Sequence, residues 1–230
     1  SYFPPPVKEV EIPKKDGKVR KLGIPTISDR VGQMVVKMFI EPRFERVFSP
    51  NSYGYRPGRN AHQALQKVRE NCWKQDWVID LDIKGFFDNI DHGKLMLAVK
   101  KHIPEKWVVI YLKRWLEAPV LTVLGELVEK QGKGTLQGGV ISQLMANLFL
   151  HYALDKWLET SYKHVPFTRY ADDVIVHCNS KAHAGFILKQ IRERMTFVQL
   201  ELHREKTKMV YCKDYRRKEK YPIVKFDFLG

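Results

Sequence analysis

The chain is poor in cysteine and in acid, and it has no long apolar run. Its three cysteines, Cys72, Cys178 and Cys212, stand far apart in 230 residues. That spacing matches neither a zinc ligand set nor a disulfide framework, and buried free thiols in a reducing cytosol are the plain reading. No apolar stretch reaches the roughly 20 residues that cross a bilayer, so a membrane partner is not expected. No charged-then-apolar leader with a cleavage site opens the chain. Internal repeats and low-complexity segments are missing too. The start, Ser1-Tyr2-Phe3-Pro4-Pro5-Pro6, has no methionine. We expect a piece cut from a longer protein, for which missing targeting signals say little about the parent.

The shortage of acid sets the charge. Lys and Arg number 40 against 26 Asp and Glu, a formal net charge of +14 with a pI near 9.6. A polyanion is the first partner this suggests. A membrane surface would need a basic amphipathic anchor, and none stands out. Plain solubility is the competing reading, since net charge names no partner. With 44% hydrophobic residues the chain has material for a sizeable core in one domain or two packed lobes.

Along the chain, Val7–Pro13 and Val19–Pro25 read as a hairpin turning at Lys15-Asp16-Gly17-Lys18. Ser28 or Asp29 is expected to cap a helix with Val31, Met34, Val35 and Met38 on one face, ended or kinked near Pro42. Residues 49–59 read as a loop, and Asn60 as the cap of a helix bearing Ala61, Leu65, Val68 and Cys72. A strand over 77–83 precedes helices around 92–101 and 104–117 and a small hairpin turning at Gly125. Periodicity then predicts one long helix over 141–158, two short strands around Ala171-Asp172, a helix over 182–200 and a strand at 208–212. Ile223 to Leu229 reads as a strand cut short. This order implies an α+β fold of the split βαβ type backed by helices, not a doubly wound sheet.

Two acidic clusters carry the chemistry. In Asp80-Leu81-Asp82 side chains alternate along a strand, so both carboxylates share a face. Asp172-Asp173 lies between apolar arms, as at the tip of a tight hairpin. Unpaired carboxylates are costly to bury. They make sense if divalent cations neutralise them and hold substrate phosphates, as in a two-metal site for in-line phosphoryl transfer. Turn capping by Asp172-Asp173, or a lysine partner for Asp80, would explain either cluster alone.

The segments VIDLDIKGFFDNIDH (78–92), GTLQGGVISQLMANLFL (134–150) and RYADDVIVHC (169–178) resemble the successive core motifs of reverse transcriptases. IPKKDGKVRKLGIPTISDRVGQ (12–33), LELHREKTKMVYCKD (200–214) and FDFLG (226–230) resemble motifs of the group II intron branch. The resemblance covers nearly the whole chain in order. Retron, diversity-generating and CRISPR-associated relatives share the core motifs, while the stretch Arg20 to Asp29 and FDFLG favour group II introns.

The resemblance implies a right-hand polymerase: fingers over 1–75, palm over 76–100, a fingers insertion over 101–134 and a second palm part over 135–230, with thumb and maturase region absent. It implies catalytic Asp82, Asp172 and Asp173, with two Mg2+ ions held by these residues and the Ile83 carbonyl. Asp80 is the weaker first-motif candidate, and Asp172 the safer ligand of the pair. Phe87 would be the steric gate against ribonucleotides, though Phe86 and Phe87 could both be core. Lys14 and Arg20 would hold the deoxynucleotide triphosphate, or else be solvated hairpin cations. Gln137 would contact the incoming nucleotide, and Lys206 would give a proton to pyrophosphate or be a plain surface lysine. Leu136 and Gln143 stand where proline is common in the family, and so does Lys21, which bears on loop stiffness and not on the aspartates.

Implied partners are group II intron RNA, an RNA template with DNA primer, and dNTPs, in a bacterial cytoplasm. Arg43, Arg46, Arg56, Arg59, Lys67 and Arg69 could meet RNA phosphates or belong to ordinary solvated faces. Apolar surface uncovered without a thumb could promote a homodimer. A maturase platform that binds RNA without polymerising is the alternative function, and a crippled polymerase relative is a third.

Overall fold

The computed structural model describes residues 2–13, 17, 19–135 and 137–229. In chain order the elements are β1 (Val7–Pro13), β2 (Val19–Ile24), α1 (Ile27–Glu45), α2 (Ala61–Lys74), β3 (Trp77–Leu81), α3 (Phe86–Asn89), α4 (His92–His102) and α5 (Lys106–Glu117). They continue with β4 (Val120–Leu121), β5 (Leu127–Val128), α6 (Ser142–Leu150), a π-helical stretch (His151–Asp155), α7 (Lys156–Ser161), β6 (Phe167–Tyr170), β7 (Asp173–Cys178), α8 (Lys181–Phe197) and β8 (Lys208–Tyr211). The fold is α+β, and it divides into two compact units: the chain up to Val47 with Phe87–Phe149, and Phe48–Phe86 with the chain from Leu150 on. These bounds differ from the lobes expected at 75, 100 and 134. Residues 48–75, which motif order assigns to the fingers, include α2, and α2 packs on β6 and β7.

In the first unit the sheet order is β2-β1-β4-β5, with β1 antiparallel to β2 and parallel to β4. The hairpin β1/β2 keeps the expected strands, and Gly17 sits at φ +76, where a glycine is unstrained. Helix α1 departs from expectation at both its cap and its face. Thr26 is the N-cap, its hydroxyl accepting from the Asp29 amide at 3.2 Å. The buried face is Asp29, Gln33, Val36, Ile40 and Phe44, while Val31, Met34, Val35 and Met38 are exposed. A polar residue can sit inside because its partners are there: Asp29 accepts from Trp115 Nε1 at 3.0 Å and from the Thr26 hydroxyl at 2.6 Å. Pro42 stays inside the helix without ending it.

In the second unit the sheet order is β6-β7-β3-β8, antiparallel throughout, which is the order of a split βαβ sheet. Val78, Ile175 and Val210 lie on one face and pack with Val68 of α2. Asn60 caps α2 in a capping box with Gln63. Residues of the other parity, Ile79, Val174 and Val176, are fully buried, and α8 packs on β3, β7 and β8. Lys181 of α8 stands 6.0 Å over the Trp77 ring, which places α8 on that second face. The residues from Ile223 to Leu229 form no strand. They lie against the α2 side of the sheet, with Phe226 and Phe228 packed on the Val78 cluster. Apolar side chains fix this segment to the sheet face, and Tyr211 N donating to Ile223 O at 3.0 Å is its link to the β8 backbone.

The long helix expected over 141–158 is not uniform. One π-helical stretch interrupts it, and Arg194 of α8 donates to the carbonyls of Ala153 and Tyr152 at 2.9 Å each. Widening a helix frees carbonyls, and a guanidinium, which accepts none and donates five, can take them up.

Candidate active site

Strand β3 sets one carboxylate by parity. Asp80 is in register with Ile175 of β7 and Lys208 of β8, so it shares the face of Val78 and lies toward its far end. Asp82 follows the strand end and is pinned by its backbone. Its N–H donates to Thr207 Oγ1 at 3.3 Å, and its carbonyl accepts from the His203 N–H at 2.8 Å. Lys84 N donates to Glu201 O at 2.8 Å, which leaves Ile83 and Leu202 bridged as a pair without hydrogen bonds of their own. In such a pair each residue turns its N–H and C=O away from the partner segment. The Ile83 carbonyl therefore points away from 201–203.

The second acidic cluster is held from several sides. Tyr170 pairs with Asp173, so Ala171 and Asp172 are the two turn residues of the β6/β7 hairpin. Ala171 has φ +56, a left-handed conformation that costs a residue with a Cβ about 1–2 kcal/mol. The fully buried Arg169 holds it. Its guanidinium donates to the Ala171 carbonyl at 2.9 Å and forks onto Asp155 of the π-helical stretch at 2.7 and 2.5 Å. The Arg169 backbone is bound too, its N–H donating to Asn51 O and its carbonyl accepting from Tyr53 N, both at 2.8 Å. Gly54 lies so close that a Cβ there would collide with the Ala171 backbone nitrogen. Only glycine permits that approach.

These devices gather like charges. Asp80 is pushed up to about 6, by burial first and then by Asp173, with Lys208 opposing and Asp82 and Asp227 adding to the rise. Asp173 is also pushed up to about 6, by burial and then by Asp172 and Asp82. Lys206 Nζ stands 3.5 Å from Asp82 Oδ2, but both side chains are well exposed, so the pair is weak. A cleft of about 450 Å3 opens at the hairpin, lined by Asp172, Asp173, Asp227, Tyr55, Tyr170 and Leu229. The site is thus short of positive charge, which is the condition a divalent cation relieves. Among the described residues no three His, Cys, Asp or Glu side chains form a ready metal cage. Magnesium does not need one, since it takes one or two carboxylates and completes its shell with water and substrate phosphates. The donor set fits such an ion.

The remaining candidates lie as follows. Arg20 is exposed on β2, opposite Ile12. The Gln137 carbonyl accepts from Gly23 N of the same strand at 2.8 Å, and a Cβ on Gly138, at φ +119, would press on Gly23 O. Arg20 and Gln137 therefore sit in one unit, tied through β2. Lys14 and Leu136 lie outside the described residues. Phe86 and Phe87 are both nearly buried, and the Phe87 carbonyl accepts from Thr135 N at 2.8 Å.

Of the cations assigned to RNA, two have strong protein partners. Arg56 is buried and donates to the carbonyls of Ser49 and Ser52 at 2.6 and 2.7 Å. Arg43 forks onto Glu105 at 2.7 Å twice. Arg59 lies over Tyr53 and Arg69 over the exposed Trp73, each at 5.2 Å, while Arg46 is exposed and Lys67 half-buried. Sequence reasoning missed Arg169, Asp155, Thr207, Tyr55 and Asp227. The one signal available for any of them was the arginine directly preceding the Tyr-Ala-Asp-Asp run.

An antiparallel split βαβ sheet that carries aspartates at the end of its first strand and on its central hairpin is the palm of a nucleic-acid polymerase. The described fold agrees with solved telomerases. The chain superposes with a TM-score of 0.71 on telomerase from Candida albicans, solved with a TWJ fragment of telomeric RNA, at 12% identity over 100% of this chain and 44% of that one. Apo telomerase from Candida tropicalis gives 0.70 at 12% identity, over 91% and 45%. The chain belongs to the reverse transcriptase (RNA-dependent DNA polymerase) family, whose model matches residues 12–230. It is 38% identical over 159 residues to the group II intron-encoded protein LtrA of Lactococcus lactis subsp. cremoris, covering 69% of this chain and 26% of that protein. It is 31% identical over 251 residues to protein YkfC of Escherichia coli (strain K12), covering 93% and 65%. These likenesses place it with the group II intron-encoded reverse transcriptases and maturases. The chain spans about a quarter of LtrA's length and under two thirds of YkfC's.

Proposed function

We propose that this chain is the fingers and palm of an RNA-directed DNA polymerase of the group II intron type, working in a bacterial cytoplasm. It would join a deoxynucleotide to a primer 3′-hydroxyl on an RNA template. The observation that carries the proposal is the convergence of Asp80, Asp82, Asp172 and Asp173 in one under-neutralised site, with the turn that carries the second cluster fixed by Arg169. Asp82, Asp172, Asp173 and the Ile83 carbonyl would hold two magnesium ions, which supply Lewis acidity for in-line displacement at phosphorus. Asp80 keeps the local field negative and so favours cation binding. Lys206, 3.5 Å from Asp82, would give a proton to departing pyrophosphate. Lys14, Arg20 and Gln137 would hold the dNTP, and Phe87 would exclude a 2′-hydroxyl.

The test is magnesium-dependent extension of a DNA primer on an RNA template. The Asp172→Ala variant should lose it. No extension by the unmodified protein across metals and templates would sink the polymerase reading.

A second activity, binding of intron RNA in support of splicing, is favoured by one surface. Trp73 and Tyr215 are exposed, with Arg69 and Arg216 stacked over them at 5.2 and 5.5 Å. Aromatic and guanidinium planes together suit unpaired RNA bases. RNA affinity should survive Asp172→Ala, and equal loss of both activities would merge the two sites into one.

A further inference from the structure

The far end of the palm sheet carries a group of side chains that polymerisation leaves unused. Cys72 lies in the last turns of α2 and Cys212 directly follows β8. Both pack, half-buried, on the same Val68, Val78, Ile175 and Val210 cluster. His177 of β7 is fully buried beside them, with Nδ1 4.0 Å from the Cys72 sulfur and no hydrogen-bond partner for Nε2. Arg217 fixes the backbones that carry the two sulfurs. One of its nitrogens donates to the carbonyls of both Cys72 and Cys212, at 2.7 and 3.2 Å. The same side chain is anchored to Asp76 at 2.6 Å. Cys178, the third cysteine, is fully buried, and its thiol acidity is suppressed by burial, pushed up to about 12.

We propose that Cys72 and Cys212 form a reactive dithiol site at which a hydroperoxide closes a disulfide between α2 and the end of β8. Cys72 is the attacking sulfur. Its acidity is raised, to about 5, chiefly by the hydrogen bond from the Cys212 thiol, and further by His177 and Arg217. Thiolate character and access together set thiol reactivity.

The Cys72 proton passes to His177 Nδ1. The thiolate attacks one peroxide oxygen, the O–O bond breaks, and the alcohol leaves with a proton, giving a sulfenic acid. The Cys212 sulfur then attacks Cys72, the S–O bond breaks and water leaves. Two thiols and one hydroperoxide thus become one disulfide, one alcohol and one water. Cys212 follows Tyr211, which pairs with Trp77, and Cys72 reaches His177 opposite Val78, whereas the carboxylates begin at Asp80, two residues or about 7 Å further along β3. Closure joins two elements at the end of the sheet remote from the acids.

The folded protein is treated with tert-butyl hydroperoxide, alkylated in denaturant and weighed intact. The expected result is one bridge: one alkyl group on the oxidised protein where the reduced protein takes three, with about 2 Da less for the bridge itself, the Cys72 and Cys212 peptides linked and Cys178 alkylated as before. Before oxidation, Cys72 should alkylate at least about tenfold faster than Cys178. In Cys212→Ser the sulfenic acid has no second thiol to meet, and dimedone should label Cys72 alone. Unbridged thiols, a link involving Cys178, or bridging only between molecules would each overturn the proposal. If Cys212→Ser does not fold, the map of the unmodified protein decides by itself.

Discussion

Breaking the Arg169–Asp155 pair separates holding the fold from holding the catalytic turn. Both side chains have no exposure at all, and the guanidinium makes two bonds to the carboxylate and one to the Ala171 carbonyl. Asp155→Asn leaves a buried cation without its counter-charge, which costs about 3–5 kcal/mol. For a chain of this length that lowers Tm by roughly 10 °C. The double variant Asp155→Leu with Arg169→Met removes both charges and keeps the volume, and such replacements are often neutral. Stability should then recover most of the Asp155→Asn loss, leaving a deficit of about 1.5–3 kcal/mol for the hydrogen bond that the Ala171 carbonyl no longer accepts.

Activity should not return with it. Without the guanidinium, the Ala171 carbonyl loses a charged hydrogen bond worth about 1.5–3 kcal/mol. The turn is already strained by its φ of +56. If that energy keeps Asp172 and Asp173 in place, primer extension falls about ten- to a hundredfold at saturating magnesium. Urea denaturation and steady-state extension on the same three proteins read the two effects. A double variant that is stable and extends primers at the normal rate would refute the argument, since the pair would then only fill space.

Other substitutions test neighbouring parts of the site. Gly54→Ala puts a Cβ into the Ala171 backbone nitrogen, so extension should fall at least about tenfold with a stability loss of about 1–3 kcal/mol by denaturant titration. Lys206→Ala removes an exposed partner of Asp82; melting should shift by less than about 0.5 kcal/mol while kcat drops and the pH profile of kcat changes on its alkaline side. Arg56→Ala strips two backbone carbonyls of their buried donor; stability should fall by about 2 kcal/mol, with intron RNA affinity unchanged in filter binding, whereas Arg69→Ala should do the reverse. Asp80→Asn should raise the melting temperature of the metal-free protein at pH 7.5. The carboxyl is raised from 3.8 to about 6 in the fold, so its ionisation opposes folding fully above pH 6. That penalty fades as pH falls from 6 toward 4, so the gain from Asp80→Asn should be about halved at pH 5 and vanish only below about pH 4.

What could be read from sequence was whatever depends on neighbours in the chain. An apolar run around Asp80 gave β3, and two apolar arms around Ala171-Asp172 gave β6 and β7 with the turn in the right place. Asn60 announced α2, and the structure adds Gln63 to complete its capping box. The hairpin of β1 and β2 followed from Asp-Gly between extended runs.

What depends on distant partners could not be read. An apolar stripe on α1 shows that a stripe exists, not which side of the helix the core takes. The core took the side with Asp29 and Gln33, because Trp115, 86 residues on, satisfies the carboxylate. The π-helical stretch has the same origin. Its widened turns are stable where Arg194 meets their carbonyls, and nothing within 151–155 signals that.

The active site mixes these two kinds of information, which explains why its acids were legible and its supports were not. Carboxylates in strands are conspicuous because they break an apolar pattern, so Asp80, Asp82, Asp172 and Asp173 stand out in any reading. The groups that position them are inconspicuous in sequence: a threonine after a polar turn, a glycine in a loop, an arginine whose charge looks like one more of forty. Arg169 is the sharpest case. In a chain of net charge +14 a lysine or arginine reads first as a contact for a polyanion. Yet this one is wholly enclosed and acts on the turn through Ala171, and Arg56 and Arg217 likewise donate to backbone carbonyls. Part of the basic excess therefore serves the fold. The salt dependence of RNA binding should be lower than a count of all cations suggests, because phosphate can meet only those whose donors face solvent.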